Sequence, residues 1–226
     1  SGYVAWLSGA IRVEDAERPR LAWKRAQRLL LPFLLLGLVV LLGKLAAQNL
    51  VHVDNRAAGL LPGLRDLVVT TEDSPATFIW FLWVLFLCTV VAPPLWPRVG
   101  TTGLVAGGLV LNAVELPARF YHDRVARHAV FFAIGIAVAQ HEGALLPRFR
   151  GLQPLWWLLL GATLGAALAG WLPGDLSLLA CGLAAIPALH GLMFVGAMQR
   201  QGWALTLGRY SMAIYLFNVI AIGVVK

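Results

Sequence analysis

The chain has 226 residues, of which 59% are hydrophobic and 13% charged, against roughly 25% charged in soluble domains, and this excludes a soluble fold. The net charge is +7, but the basic residues fall in the connections between apolar runs, which argues for an anionic membrane surface and against a nucleic-acid face. The two cysteines, Cys88 and Cys181, both lie inside apolar runs, so no disulfide framework is expected.

Residues 1–10, opening Ser1-Gly2-Tyr3, read as the tail of an apolar segment. Residues 11–28 read as a short polar connection, with Glu14, Asp15 and Glu17 beside Arg12, Arg18 and Arg20. It closes on the basic cluster Lys24, Arg25 and Arg28. The apolar run that follows predicts a span over 29–47, long enough to cross hydrocarbon with some tilt. The polar stretch 48–76, with breakers Pro62, Gly63 and Pro75, is expected as an outer loop. A second span at 77–92 is expected to end at Pro93-Pro94 and turn through Leu95-Trp96-Pro97-Arg98.

The runs 101–114 and 129–139 flank the polar stretch Glu115–His128. Both are short for a crossing and read as two spans that are tilted, broken or re-entrant. An inner loop at 141–153 carries Arg148 and Arg150. Spans at 154–172 and 176–198 meet at Pro173-Gly174-Asp175, and a loop at 199–209 leads into a last span ending at Lys226. The expected architecture is an all-α, polytopic transmembrane helical bundle of about seven spans plus the tail of an earlier one. It is read as one membrane-embedded domain over 1–226. Because the sequence starts and stops inside apolar segments, it is expected to be part of a longer protein, with at least one span in front.

Charge orients the bundle. Arg12, Arg18, Arg20, Lys24, Arg25, Arg28, Arg98, Arg148, Arg150, Arg200 and Arg209 fall in inner connections, and only Arg56, Arg65, Arg119, Arg124 and Arg127 in outer ones. The opposite orientation would put the excess on the wrong side. Gly161-x-x-x-Gly165 has the spacing of close helix packing. No internal repeat marks two halves of a transporter.

Arg25 and Arg28 stand i, i+3 on one expected helix, so their side chains leave the same face. Forked guanidinium groups fit phosphate oxygens in pairs, as the polyanion of a coenzyme A thioester would require. The alternative is that the pair is a plain topology signal in contact with lipid headgroups.

Three stretches carry a family resemblance. Arg25-Ala26-Gln27-Arg28, followed by Leu-Leu-Leu-Pro-Phe, resembles the RxxR motif that heads a span in the acyltransferase 3 family of bacterial membrane O-acyltransferases. Ile79-Trp80-Phe81-Leu82-Trp83-Val84-Leu85 resembles its WFLxxL span, and Leu207 to Phe217 its late GrxSxxIYL segment. Asn218 stands where the family commonly has His. The resemblance implies transfer of an acyl group, acetyl first among the possibilities, from a cytoplasmic acyl-CoA such as acetyl-CoA. The acceptor would be a hydroxyl of an exported glycan or glycolipid. Arg25 and Arg28 would then hold the donor, no cofactor would be bound, and the chain would be multi-pass among the lipids of a bacterial cytoplasmic (inner) membrane. The alternative is a non-enzymatic transporter or flippase of a lipid-linked sugar, against which the scarcity of mid-membrane charge counts.

Acyl transfer to a hydroxyl needs a proton acceptor, and His is the usual choice near neutral pH. The resemblance places that His in a first span which this sequence does not contain. Among the histidines here, His190 follows Pro187 inside an apolar span. It is either a candidate base or a neutral ring bonded to a neighbouring helix. His122 and His128 lie in a polar loop without metal-ligand spacing, and no metal site is expected. Glu115, with Asn112 a turn before and Arg119 a turn after, either pairs with Arg119 at i, i+4 or joins Tyr121 and His122 at an outer mouth for a glycan. Trp80, with Phe81 and Trp83, offers faces for sugar stacking or forms an interfacial belt.

Overall fold

A segment crossing hydrocarbon must satisfy its backbone hydrogen bonds internally, and a helix does so. The computed structural model describes residues 1–48, 55–76, 78–203, 206–208, 210–211 and 214. Expectations falling elsewhere, on Arg209, Asn218 and most of the last span, lie outside the described residues. The helices are α1 (Gly2–Leu7), α2 (Arg18–Arg25), α3 (Leu31–Ala47), α4 (Leu60–Val68), α5 (Trp80–Asn112), α6 (His122–Gln140), α7 (Glu142–Gly151), α8 (Gln153–Leu168), α9 (Gly174–Met193) and α10 (Gly196–Gln199). The bundle is all-α, as its composition requires. Three helical runs, Asp15–Ala47, Trp80–Asn112 and Gly174–Met193, are long and apolar enough to cross a membrane, or four if α6 and α7 form one broken span.

Two compact units divide the chain, Ser1–Ile136 and the part that begins at Ala137. In the first unit, the expected polar connection at 11–28 is instead mostly helical. Arg18 pairs with Asp15 at 2.6 Å and Arg20 approaches Glu17 at 3.9 Å. These i, i+3 pairs and Pro19 in the first turn of α2 favour a helix where composition alone suggests a loop. A π-helical turn, Ala26–Leu30, joins α2 to α3, so one helical run of 33 residues extends from Asp15 to Ala47.

The expected stop at Pro93-Pro94 does not occur. Although an interior proline loses one hydrogen bond and crowds the carbonyl four residues back, its φ is compatible with a helix, and α5 continues through Pro93, Pro94 and Pro97. The Arg98 guanidinium donates to the Pro94 carbonyl. The break comes at Gly100, whose φ of 66° only glycine adopts cheaply. Contacts with α6 show the chain reversing there. Trp80 lies 4.7 Å from His128, and Val84, Cys88 and Ala92 share a buried cluster with Phe132 and Ile136, so the first half runs parallel to α6. In the second half, Gly108 lies on Val130 and Asn112 Nδ2 donates to the Arg127 carbonyl at 3.1 Å, which is the opposite sense. The two segments expected at 77–92 and 101–114 are therefore the arms of one hairpin, about 30 Å and 18 Å long.

The core of this unit gathers Ala5, Ile11, Val84, Cys88, Ala92, Phe132 and Ile136. Helix α1 meets α6 backbone to backbone. A Cβ on Gly2 would come within 1.9 Å of the Phe132 carbonyl oxygen, and one on Gly135 within 2.9 Å of the Tyr3 nitrogen. Helix α4 folds back along α3 in antiparallel register, Leu67 filling the gap at Gly37 and Leu41 that at Gly63.

The second unit is built on the α8–α9 pair, with α7 against α9. The Gln153 amide donates to the carbonyls of Phe149, Pro187 and Ala188 at 3.0, 3.3 and 3.2 Å, tying the start of α8 to the middle of α9. The Gly161/Gly165 spacing is not used in this pairing: a Cβ on either residue meets nothing within 4 Å among the described residues.

Candidate functional site

The Arg pair lies within one continuous helical run, Asp15–Ala47. Trp6 meets Trp96 at 5.3 Å and Phe33 meets Trp83 at 5.5 Å. Between those two levels α2 and the π-turn pack along α5. Arg28 is five residues from Phe33, roughly 7 Å along the axis. The pair therefore lies beside the body of α5. Arg25 starts the π-turn and is half-buried, while Arg28 falls within the turn and is exposed. Insertion of the wider turn alters the simple i, i+3 alignment expected of an α-helix, and such turns recur at functional sites.

Their surroundings differ from those of Arg18 and Arg20. Those two have carboxylate partners at Asp15 and Glu17. Arg25 and Arg28 have none among the described residues. A guanidinium beside an apolar helix is costly to hold without a counter-ion or water, so the pair is suited to an anion that arrives from outside the chain.

At the Trp80 end of the unit, the segments 69–76 and 113–121 are stitched together. The Thr71 amide donates to the Ala118 carbonyl at 3.1 Å and the Phe120 amide to Val69 at 3.1 Å. Thr71 Oγ1 also donates to Ala118, and Thr70 with Arg119 forms an isolated antiparallel bridge. Residues 113–121 are not helical, so the i, i+4 geometry for Glu115 and Arg119 is absent; Arg119 goes to the bridge and Glu115 stays exposed.

Tyr121 closes this clasp. It is only 3% exposed, its hydroxyl donates to the Leu67 carbonyl at 2.9 Å and it meets Ser74 Oγ at 3.3 Å. Its ring packs on Phe33 and Trp83. Burial pushes its hydroxyl above the ordinary tyrosine range, so it remains a neutral donor. Tyr121 is a structural fastening here. Tyr121→Phe strands the Leu67 carbonyl and is expected to lower stability by about 1–3 kcal/mol in thermal unfolding of the purified protein. A loss below about 0.5 kcal/mol would show that the clasp does not depend on this bond.

His122 is exposed, with its ring 6.1 Å from Phe120. Trp80 is covered on one side by His128 at 4.7 Å and by the Arg124 guanidinium at 5.5 Å. The structure therefore brings Trp80 next to His128 and Arg124, while Tyr121 packs on Trp83. The sequence gives His128 no metal-ligand spacing, and the contact with Trp80 that singles it out is tertiary.

In the second unit, His190 Nε2 lies 3.8 Å from Glu142 Oε1 of α7. Its ring packs on Phe149 at 6.1 Å and Phe194 at 5.1 Å. The neighbouring helix thus supplies a carboxylate partner. Glu142 also lines an open cleft of about 570 Å³ with Leu146, Pro147, Arg150 and Val195.

Compared with known proteins, the chain matches a family model described as an acyltransferase domain, of the acyltransferase 3 type, over residues 1–226. No curated protein and no solved structure matches it.

Proposed function

Because the chain belongs to the acyltransferase 3 family over its whole length, we propose that this membrane acyltransferase takes an acyl group, acetyl first, from cytoplasmic acyl-coenzyme A and moves it to a hydroxyl of an exported glycan or glycolipid. The setting proposed is a bacterial cytoplasmic membrane. The observation that carries the donor assignment is the Arg pair. Two guanidinium groups, without carboxylate partners among the described residues, lie along α5 beside an apolar span. Phosphates of a coenzyme A donor are the chemistry that matches them.

In the transfer, the acceptor oxygen bonds to the thioester carbonyl carbon, the carbon–sulfur bond breaks, and the hydroxyl proton passes through a base to the leaving thiolate. The decisive experiment uses the protein at its natural length in liposomes with acetyl-CoA. An acyltransferase hydrolyses some donor to water even without acceptor, whereas a sugar carrier leaves acetyl-CoA intact, and intact donor would overturn the proposal.

Sidedness has its own test. Single cysteines at exposed positions, Arg65→Cys and His122→Cys, are expected to react with an impermeant thiol reagent in intact cells. Arg148→Cys and Gln201→Cys are expected to react only after lysis. Labelling of Arg148→Cys from outside would reverse the donor and acceptor sides.

A further inference from the structure

His128 occupies the end of the first unit that also holds Trp80 and Asn112, and neither the clasp nor the Arg pair uses it. Its Nδ1 lies 2.8 Å from the Arg124 carbonyl oxygen. A carbonyl can only accept, so Nδ1 carries the proton and donates. The neutral ring then keeps its lone pair on Nε2. Among the described residues the ring's hydrogen bonding runs through Nδ1 alone.

The ring is also held from its sides. Trp80 packs on it at 4.7 Å and Phe131 at 6.3 Å. The Arg124 guanidinium lies 5.5 Å from the Trp80 centroid and is steadied by Asp123 at 3.2 Å. A hydrogen-bond acceptor of known tautomer, fixed beside an aromatic wall and a planar cation, is suited to a polyhydroxylated ligand. The hydroxyls need oriented acceptors and the C–H faces need apolar walls. Tyr121 does not offer this, because its hydroxyl already donates to Leu67.

We propose that His128 Nε2 receives a hydroxyl of the sugar acceptor, the imidazole being held in place against Trp80, which Arg124 also covers. This rests on the reading of the chain as a transferase to a glycan hydroxyl. No bond is made or broken at His128; its role is to bind and orient the acceptor.

The test uses the natural-length protein in lipid nanodiscs, with methyl glucoside as the sugar probe. Diethyl pyrocarbonate modifies an accessible neutral imidazole nitrogen. His128 is expected to react, as read by peptide mass spectrometry, and methyl glucoside is expected to slow that reaction saturably. In acetyl transfer from acetyl-CoA to methyl glucoside, His128→Phe is expected to raise the acceptor KM roughly 2- to 12-fold, the worth of one neutral hydrogen bond. The acetyl-CoA KM should not follow it. His128→Gln, which keeps an accepting oxygen, should recover part of the loss. Unreactive His128, absence of protection, or an acceptor KM unchanged in His128→Phe would each overturn the subsite. If wild-type protein consumes no acetyl-CoA, the thioester-donor reading fails instead, and protection by the glucoside still decides the role of His128.

Discussion

Arg25→Lys and Arg28→Lys are each expected to weaken use of the acyl-CoA donor by roughly 10- to 150-fold, while the protein still inserts and orients normally. The two outcomes separate because lysine keeps the charge but loses the forked geometry. Orientation responds to charge beside a span and survives the exchange. Phosphate binding responds to the number and direction of donors, and a charge-assisted hydrogen bond is worth about 1.5–3 kcal/mol, which sets the expected range. If the contact is equal in ground and transition states, the loss falls in the donor KM and turnover is retained. Because Arg25 is half-buried and Arg28 exposed, Arg25→Lys should also cost some packing, visible as a lower unfolding temperature. Donor-concentration kinetics at matched membrane abundance provide the measurement. Wild-type kinetics from both variants would reduce the pair to a topology signal.

Gly2→Ala is expected to disrupt the first unit even though alanine is the better helix former. The added methyl would lie 1.9 Å from the Phe132 carbonyl oxygen, and a backbone oxygen cannot swing aside as a flexible side chain does. Overpacking at such a contact costs typically 1–3 kcal/mol and here should reach or exceed the upper end, since α1 must move away from α6 as a body. Gly135→Ala, 2.9 Å from the Tyr3 nitrogen, should show the same defect more mildly. Gly161→Ala and Gly165→Ala are the controls. Their methyl groups meet nothing within 4 Å among the described residues, so each should be neutral or stabilising by about 0.5–1 kcal/mol. Thermal unfolding of the purified variants decides the matter. Equal effects at Gly2 and Gly161 would contradict the close α1–α6 crossing.

Helical class, membrane residence and the positions of most apolar segments could be read from the sequence, because bilayer insertion depends on summed hydropathy within one segment at a time. The family was equally legible in its motifs. What no local pattern announces is pairing. Pro93-Pro94 looks like a terminus because proline lacks an amide proton, yet the reversal comes at Gly100, where positive φ is required. Tyr121 looks available to a glycan until Leu67, 54 residues away, takes its hydroxyl. Gly161 and Gly165 have the packing spacing and no close neighbour, while Gly2 and Gly135 share no motif and touch backbone to backbone. His128 acquires its tautomer from Arg124 on its own helix, but its wall, Trp80, comes from another. Composition and segment hydropathy thus decided by themselves that this is a helical membrane protein. The choice of which face of each helix meets which partner, and so which polar atoms remain open to a ligand, was left to packing between segments distant in the chain. Such packing depends on pairs of residues and is not carried by either segment alone.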